Sequence, residues 1–245
     1  MRRFWNIKGL LLFIGFALLV AMPFLIIQEK QLPMLTDNTL NPYPEPTDLA
    51  GSYIQKASEH YFYREIPQAA DNYHKAIALY EERKDIHHVA TTYDALGDLY
   101  VWAREPEEAE QYYLIAAQRH AQADNLMEQA NSIKEIADMH VKYEKFQEAE
   151  KRYSQSLDLM KSEKPNRVVG SIHEGMGHMY WKANQIPEAI DSFTHARDTF
   201  ATLHYNLGIE QMSGIIKRLN RLLKTQHQRE SSTQKDNTSH SPIKL

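Results

Sequence analysis

Alanine returns at 40-residue intervals along the middle of this chain, at Ala69, Ala109, Ala149 and Ala189, although only 23 of the 245 residues are alanine. The neighbours keep the same spacing. Four residues after each alanine stand Tyr73, Tyr113, Tyr153 and Phe193, and three further on Ala76, Ala116, Ser156 and Ala196. Twelve residues before it stand Ala57, Gly97, Ala137 and Gly177, followed by His60, Tyr100, His140 and Tyr180. A period of this length means one supersecondary unit stacked on copies of itself, because no single unit can bury its own apolar face.

The columns also say what the unit is. From residue 49 to 206 apolar residues recur at three and four, which is helical spacing. Two helices approach closely only where one presents a small side chain, and the aromatic column fills the space beside it. Proline falls where a helix begins, in Ile66-Pro67, Glu105-Pro106 and Ile186-Pro187, where its missing N–H costs nothing. Asp85, Asn125, Asn166 and Asn206 are expected N-caps. The reading is an all-α array of four helix-turn-helix units over 49–206, with frames starting near 50, 90, 130 and 170. A capping helix follows over 207–224, and a polar tail over 225–245 reads as disordered.

These residues resemble the tetratricopeptide repeat (TPR) family, whose pattern is a Leu-Gly pair, an aromatic, then Ala, aromatic and Ala across a helix-turn-helix. Leu96-Gly97, Tyr100, Ala109, Tyr113 and Ala116 carry it most fully, and Met176-Gly177, Tyr180, Ala189, Phe193 and Ala196 nearly as well. The first and third units depart from it, with Lys56-Ala57 and Ile136-Ala137 in place of the Leu-Gly pair. The 40-residue period resembles the longer-helix members of that family.

The resemblance implies that the first helix of each unit lines a groove for an extended or helical peptide. In this register the groove columns are Ile54, Asp94, Lys134 and Glu174, then Ser58, Asp98, Asp138 and His178. One turn further lie Tyr61, Val101, Val141 and Trp181, with Trp102 beside Val101. Four of the first eight are carboxylates, so the lysine-rich clamp with which chaperone-binding members hold a peptide's terminal carboxylate is not expected. An acidic floor rimmed by Tyr61, Trp102 and Trp181 suits a basic or aromatic-containing protein segment. The competing reading is that the charges are merely solvated and that the tryptophans pack one unit on the next.

Residues 9–27 hold no charged side chain and, at ~1.5 Å rise per residue, span about the hydrocarbon thickness of a bilayer. Arg2, Arg3 and Lys8 precede them, while Gln28, Glu29 and Lys30 follow with no net charge. The positive-inside rule therefore places residues 1–8 in the cytosol and everything after Ile27 outside it. The rival is a cleaved secretory signal, but cleavage after Ala21 would leave Phe24 to Ile27 as an apolar stub. Pro33, Pro42, Pro44 and Pro46 make residues 28–48 an extended linker ending at an N-cap, Thr47 or Asp48.

No cysteine is present, which closes thiol catalysis, disulfides and cysteine-ligated metals. Residues 31–245 carry a net −7, unsuited to nucleic acid. His173 and His178 bracket a glutamate, but histidines five apart point about 140° apart around a helix, so no zinc motif and no metal or cofactor is expected. Nothing converges as an acid, base or nucleophile on a small-molecule substrate. The expectation is a membrane-anchored adaptor, not an enzyme, with its repeats outside the cytosol, most naturally at a bacterial inner membrane facing the periplasm, in envelope assembly, secretion or quality control. A peptide-sensing regulator of a signalling partner is the alternative.

Overall fold

The computed structural model describes residues 48–239. The expected cytosolic stretch (1–8), membrane helix (9–27) and all of the proline-rich linker except Asp48 lie outside the described residues, as do residues 240–245. Among the described residues no helix is long and apolar enough to cross a membrane. What is described is all helix: α1 (Leu49–Phe62), α2 (Ile66–Glu82), α3 (Ile86–Ala103), α4 (Pro106–Gln122), α5 (Leu126–Lys142), α6 (Phe146–Met160), α7 (Arg167–Lys182), α8 (Ile186–Thr202) and α9 (Asn206–Ser239). Odd-numbered helices are the first of each unit and even-numbered the second.

The helix starts are set as the sequence implies. Asp48, Asp85, Asn125 and Asn166 each accept a hydrogen bond from the amide three residues on, at 2.6, 3.2, 3.3 and 3.1 Å. Each such cap is worth ~1 kcal/mol. Prolines stand at the first turns of α2, α4 and α8. Asn206 departs from expectation: it is the first residue of α9, with no cap bond of its own. The helix ends show a period the alanine columns hide, half the length of the unit. Arg64, Lys84, Arg104, Asp124, Glu144, Asn184 and His204 all adopt left-handed φ between 52° and 68°. The next amide in each case reaches back five residues, to the carbonyl of His60, Tyr80, Tyr100, His120, His140, Tyr180 or Phe200 at 2.8–3.0 Å. This closes the helix C-terminus in a Schellman motif. The series skips 164 because Pro165 has no amide hydrogen to donate and disfavours helical φ/ψ at the residue before it. There α6 ends early, at Met160, and an irregular turn leads to Asn166.

The small and aromatic columns meet inside each unit. Gly97 faces the Tyr113 ring and Gly177 the Phe193 ring so closely that a Cβ would lie 2.5 and 2.7 Å from ring carbons. Ala57 and Tyr73 share one core cluster, and Ala137 and Tyr153 another. Ala69, Ala109, Ala149 and Ala189 are fully buried. Burial of large side chains such as Tyr113, Tyr153 and Phe193, at ~1.5–3 kcal/mol each, is the main term holding a unit together.

The last helix differs from the expected cap at 207–224. It continues to Ser239, into residues expected to form a disordered tail. It also keeps the register: Met212 and Leu219, both buried, stand 40 residues after the buried Ile172 and Met179. α9 is thus the first helix of a fifth unit, packed against α8 through Ile186, Phe193 and Phe200.

Candidate partner-binding face

Each residue of the column Ser58, Asp98, Asp138 and His178 meets the aromatic fifteen residues later on the second helix of its own unit. The Tyr113 hydroxyl donates to Asp98 at 2.5 Å and the Tyr153 hydroxyl donates to Asp138, while Ser58 lies beside Tyr73 and donates its own hydroxyl to the Ile54 carbonyl at 3.0 Å. Where the partner is Phe193, which has no hydroxyl, the column holds His178, whose ring meets the phenylalanine edge-on at 5.0 Å. The logic is satisfaction of a buried phenol, which needs an acceptor. Burial, reinforced by Asp98 and Asp138, pushes the Tyr113 and Tyr153 phenols far up, so both remain donors. Burial likewise raises Asp98 above its ordinary value against the pull of the Tyr113 hydrogen bond.

The column Ile54, Asp94, Lys134 and Glu174 is not uniform. Ile54 packs against the core of the first unit. Asp94 is committed to structure: it accepts from His120 Nε2 at 2.8 Å and from Ser132 Oγ of the next unit at 2.6 Å. His120 is fully buried. Lys134 donates to Asp138 at 2.6 Å and to Glu135 at 2.9 Å. Burial lowers its ammonium, but the two carboxylates together outweigh that and hold it above its ordinary value. Glu174 alone of this column's charges has no ion pair or hydrogen bond among the described residues, and it is half-buried.

One turn further, the tryptophans bridge units. Trp102 lies 5.6 Å from the Tyr61 ring and carries the Arg64 guanidinium 5.0 Å above it. Trp181 stacks on His178 at 6.4 Å and carries Arg218 of α9 at 5.3 Å. At Val101 and Val141 the backbone serves the same end: their carbonyls accept Lys142 Nζ at 3.3 Å and Lys182 Nζ at 3.0 Å.

Of the residues singled out from sequence, Lys134, Asp138, Val141, Glu174 and His178 come together. They line a cavity of about 360 Å³ between α5 and α7, with Tyr153, Ser171 and Gly175. Gly175 leaves room for the phenol, since a Cβ there would stand 2.6 Å from the Tyr153 oxygen. Ile54, Ser58, Tyr61, Asp94, Asp98 and Trp102 lie on α1 and α3, outside this cavity, and Trp181 turns toward α9. The sequence columns missed Tyr153 because an aromatic of the second helix was read only as packing. They missed the continuation of the face into α9 because the 40-residue comparison stopped at 206. One more step would have added Gly214, Arg218 and Arg221.

His173 lies apart from this face. It stacks on His195 at 5.1 Å beside a second cavity of about 440 Å³ that Met176, Tyr180 and Asp191 also line. Among the described residues no three acidic or histidine groups converge on a metal position.

Antiparallel helix pairs at a constant 40-residue step, closed by small-against-aromatic contacts, define a TPR-like all-helical repeat solenoid. Within that class, the chain belongs to the soluble NSF attachment protein (SNAP) family, which matches residues 41–165, more than half of the sequence. No curated protein matches the sequence significantly. Among solved structures it is similar to BtubC (BKLC) from P. vanneervenii, at 17% identity over 80% of this chain and 84% of that one, with a TM-score of 0.53. It is also similar to the apo form of RapI, at 13% identity and a TM-score of 0.61, over 71% of this chain. The chain spans 48% of RapI's length. At these identities the likeness establishes the fold.

Proposed function

We propose that this chain is an adaptor that holds a segment of another protein along the face formed by its first helices, and that residues 9–27 tether it to a membrane with the repeats outside the cytosol. Envelope assembly, secretion or quality control are the settings in which such a tethered adaptor works. The observation that carries the reading is the cavity between α5 and α7, whose wall includes the unpartnered, half-buried Glu174. A carboxylate held partly out of water without a partner is costly, and an incoming donor or cation relieves that cost. The family's name describes attachment to another protein, which agrees with an adaptor. The anchor rests on the uncharged run at 9–27 and its basic N-terminal flank.

The test is co-purification from detergent-solubilised membranes, with mass spectrometry of what is recovered. Ser171→Trp fills the cavity from α7 without touching the core columns. It is expected to abolish recovery of the principal partner while the far-ultraviolet circular dichroism stays unchanged. Full recovery with Ser171→Trp would place the partner on another surface. An alkaline phosphatase reporter fused after Leu245 tests the orientation, and activity confined to cytosolic reporters would contradict it.

A further inference from the structure

The face proposed to hold a partner does not carry one charge throughout, and the 40-residue register shows how the charge changes. Along the first helices one column reads Ser58, Asp98, Asp138, His178 and then Arg218, and its neighbour one turn on ends in Trp181 and Arg221. The acidic stretch spans α3 to α7. Among the described residues, Asp98 and Asp138 there accept only neutral phenols or the shared Lys134, and Glu174 accepts nothing. Lys134 is shared between Asp138 and Glu135, and Lys142 and Lys182 stand one turn further on, held on the Val101 and Val141 carbonyls rather than on Asp98, Asp138 or Glu174. The basic stretch is on α9. Lys217 and Arg221 are exposed and pair with no carboxylate among the described residues, and Arg218 is held over Trp181 by its ring face rather than by an anion. Opposite Gly214 the surface is open, with nothing among the described residues within 4 Å of where a Cβ would lie.

We infer that the segment bound on this face is itself bipolar: a peptide with a basic block lying over Asp98, Asp138 and Glu174 and an acidic block lying over Arg218 and Arg221. The inference rests on the adaptor reading and adds the chemistry of its ligand. A uniformly basic segment would meet repulsion at α9, and a uniformly acidic one would meet it at α3 to α7. Successive first helices touch only lightly and so stand on the order of 10 Å apart, which puts α3 to α9 at roughly 30 Å. An extended chain at ~3.3 Å per residue covers that with eight or nine residues. The bipolar segment is therefore short enough to be a single linear stretch.

The probes are two fluorescein-labelled twelve-residue peptides of one composition, four Lys, four Glu, two Ser and two Gly. In one the Lys and Glu form separate blocks, and in the other they alternate. Binding to the full-length protein in detergent is followed by fluorescence anisotropy at low salt. The block peptide is expected to bind at least about fivefold more tightly than the alternating one, and the preference should vanish toward 1 M salt, where the Debye length falls to about 3 Å. Glu174→Gln and Arg221→Gln should each remove most of that preference. Equal affinity for the two peptides, no measurable binding of either, or a preference that survives both substitutions overturns the bipolar ligand. The outcome is separable from the adaptor reading. If Ser171→Trp abolishes partner recovery while the peptides bind equally, the adaptor stands and the bipolar ligand falls. If Ser171→Trp leaves recovery intact, the partner lies on another surface and the first-helix face on which this inference rests falls.

Discussion

Gly97→Ala is a one-carbon change whose usual effect in a helix is stabilising, and the structure reverses its sign. In a helix interior alanine is favoured over glycine by roughly 0.5–1 kcal/mol. At Gly97 the added Cβ would lie 2.5, 2.6 and 2.8 Å from Cε1, Cδ1 and Cζ of Tyr113. That ring cannot retreat: it is buried, and its hydroxyl is fixed on Asp98. Overpacking of this kind costs about 1–3 kcal/mol, which outweighs the helix gain and leaves a net loss of up to about 2.5 kcal/mol, or as much as roughly 10 °C in Tm for a domain of this size. Gly214→Ala is the matched control. It has the same chemistry in the same kind of helix with nothing within 4 Å, so it should gain ~0.5–1 kcal/mol. Thermal melts followed by circular dichroism on the full-length protein measure both. Repeating Gly97→Ala in a Tyr113→Leu background should shrink or reverse its cost, because the obstructing ring is gone. A higher Tm for Gly97→Ala in the otherwise unchanged protein would refute the small-against-aromatic packing and with it the repeat register.

Further consequences are open to the same melts. Ala109→Trp should unfold the second unit, since Ala109 is fully buried at the helix contact. Lys84→Gly should stabilise by ~0.5–1 kcal/mol by relieving a left-handed φ of 58°, whereas Ala there should not destabilise further. Asp94→Ala should cost about 1–3 kcal/mol, because it leaves the fully buried His120 with neither ring nitrogen bonded. An unchanged melt would mean that Asp94 is a free surface acid after all. Burial depresses His140 below 6.5 despite Glu110 nearby, and burial, helped by His195, depresses His173 as well. Both rings bind protons more readily unfolded than folded. Stability should therefore be complete above about pH 6.5 and decline as the pH falls through the folded values, and the double variant His140→Gln/His173→Gln should flatten that decline.

The repeat, its helix pairs and its small and aromatic columns were legible because packing between stacked units imposes one residue type at one period, and a shift of 40 lays those types over each other. The caps at Asp48, Asp85, Asn125 and Asn166 were legible because they depend on three neighbouring residues. The left-handed turn residues were not, because Arg64, Lys84, Arg104 and Glu144 are poor advertisements for positive φ. What marks these turns is the aromatic or histidine four residues earlier, recurring at half the repeat. The candidate face was legible as a set of columns but not in its pairings. Asp94 and Asp98 look alike in sequence, and only the second-helix partners His120 and Tyr113 show that one is a structural tie and the other a phenol acceptor. Each of the two tryptophans is met from across a unit boundary, Trp102 by Tyr61 and Arg64 and Trp181 by Arg218.

The central claim, that a partner lies along the first helices, is tested most directly by site-specific photocrosslinking in intact cells, with p-benzoylphenylalanine placed singly at Ser171, Glu174, Leu114 or Gln155. Ser171 and Glu174 face the cavity between α5 and α7, whereas Leu114 on α4 is exposed and Gln155 lies on the exposed side of α6. The account predicts a discrete crosslinked partner from Ser171 and Glu174 and none from Leu114 or Gln155. Crosslinks from Leu114 or Gln155 with none from the cavity positions would contradict it.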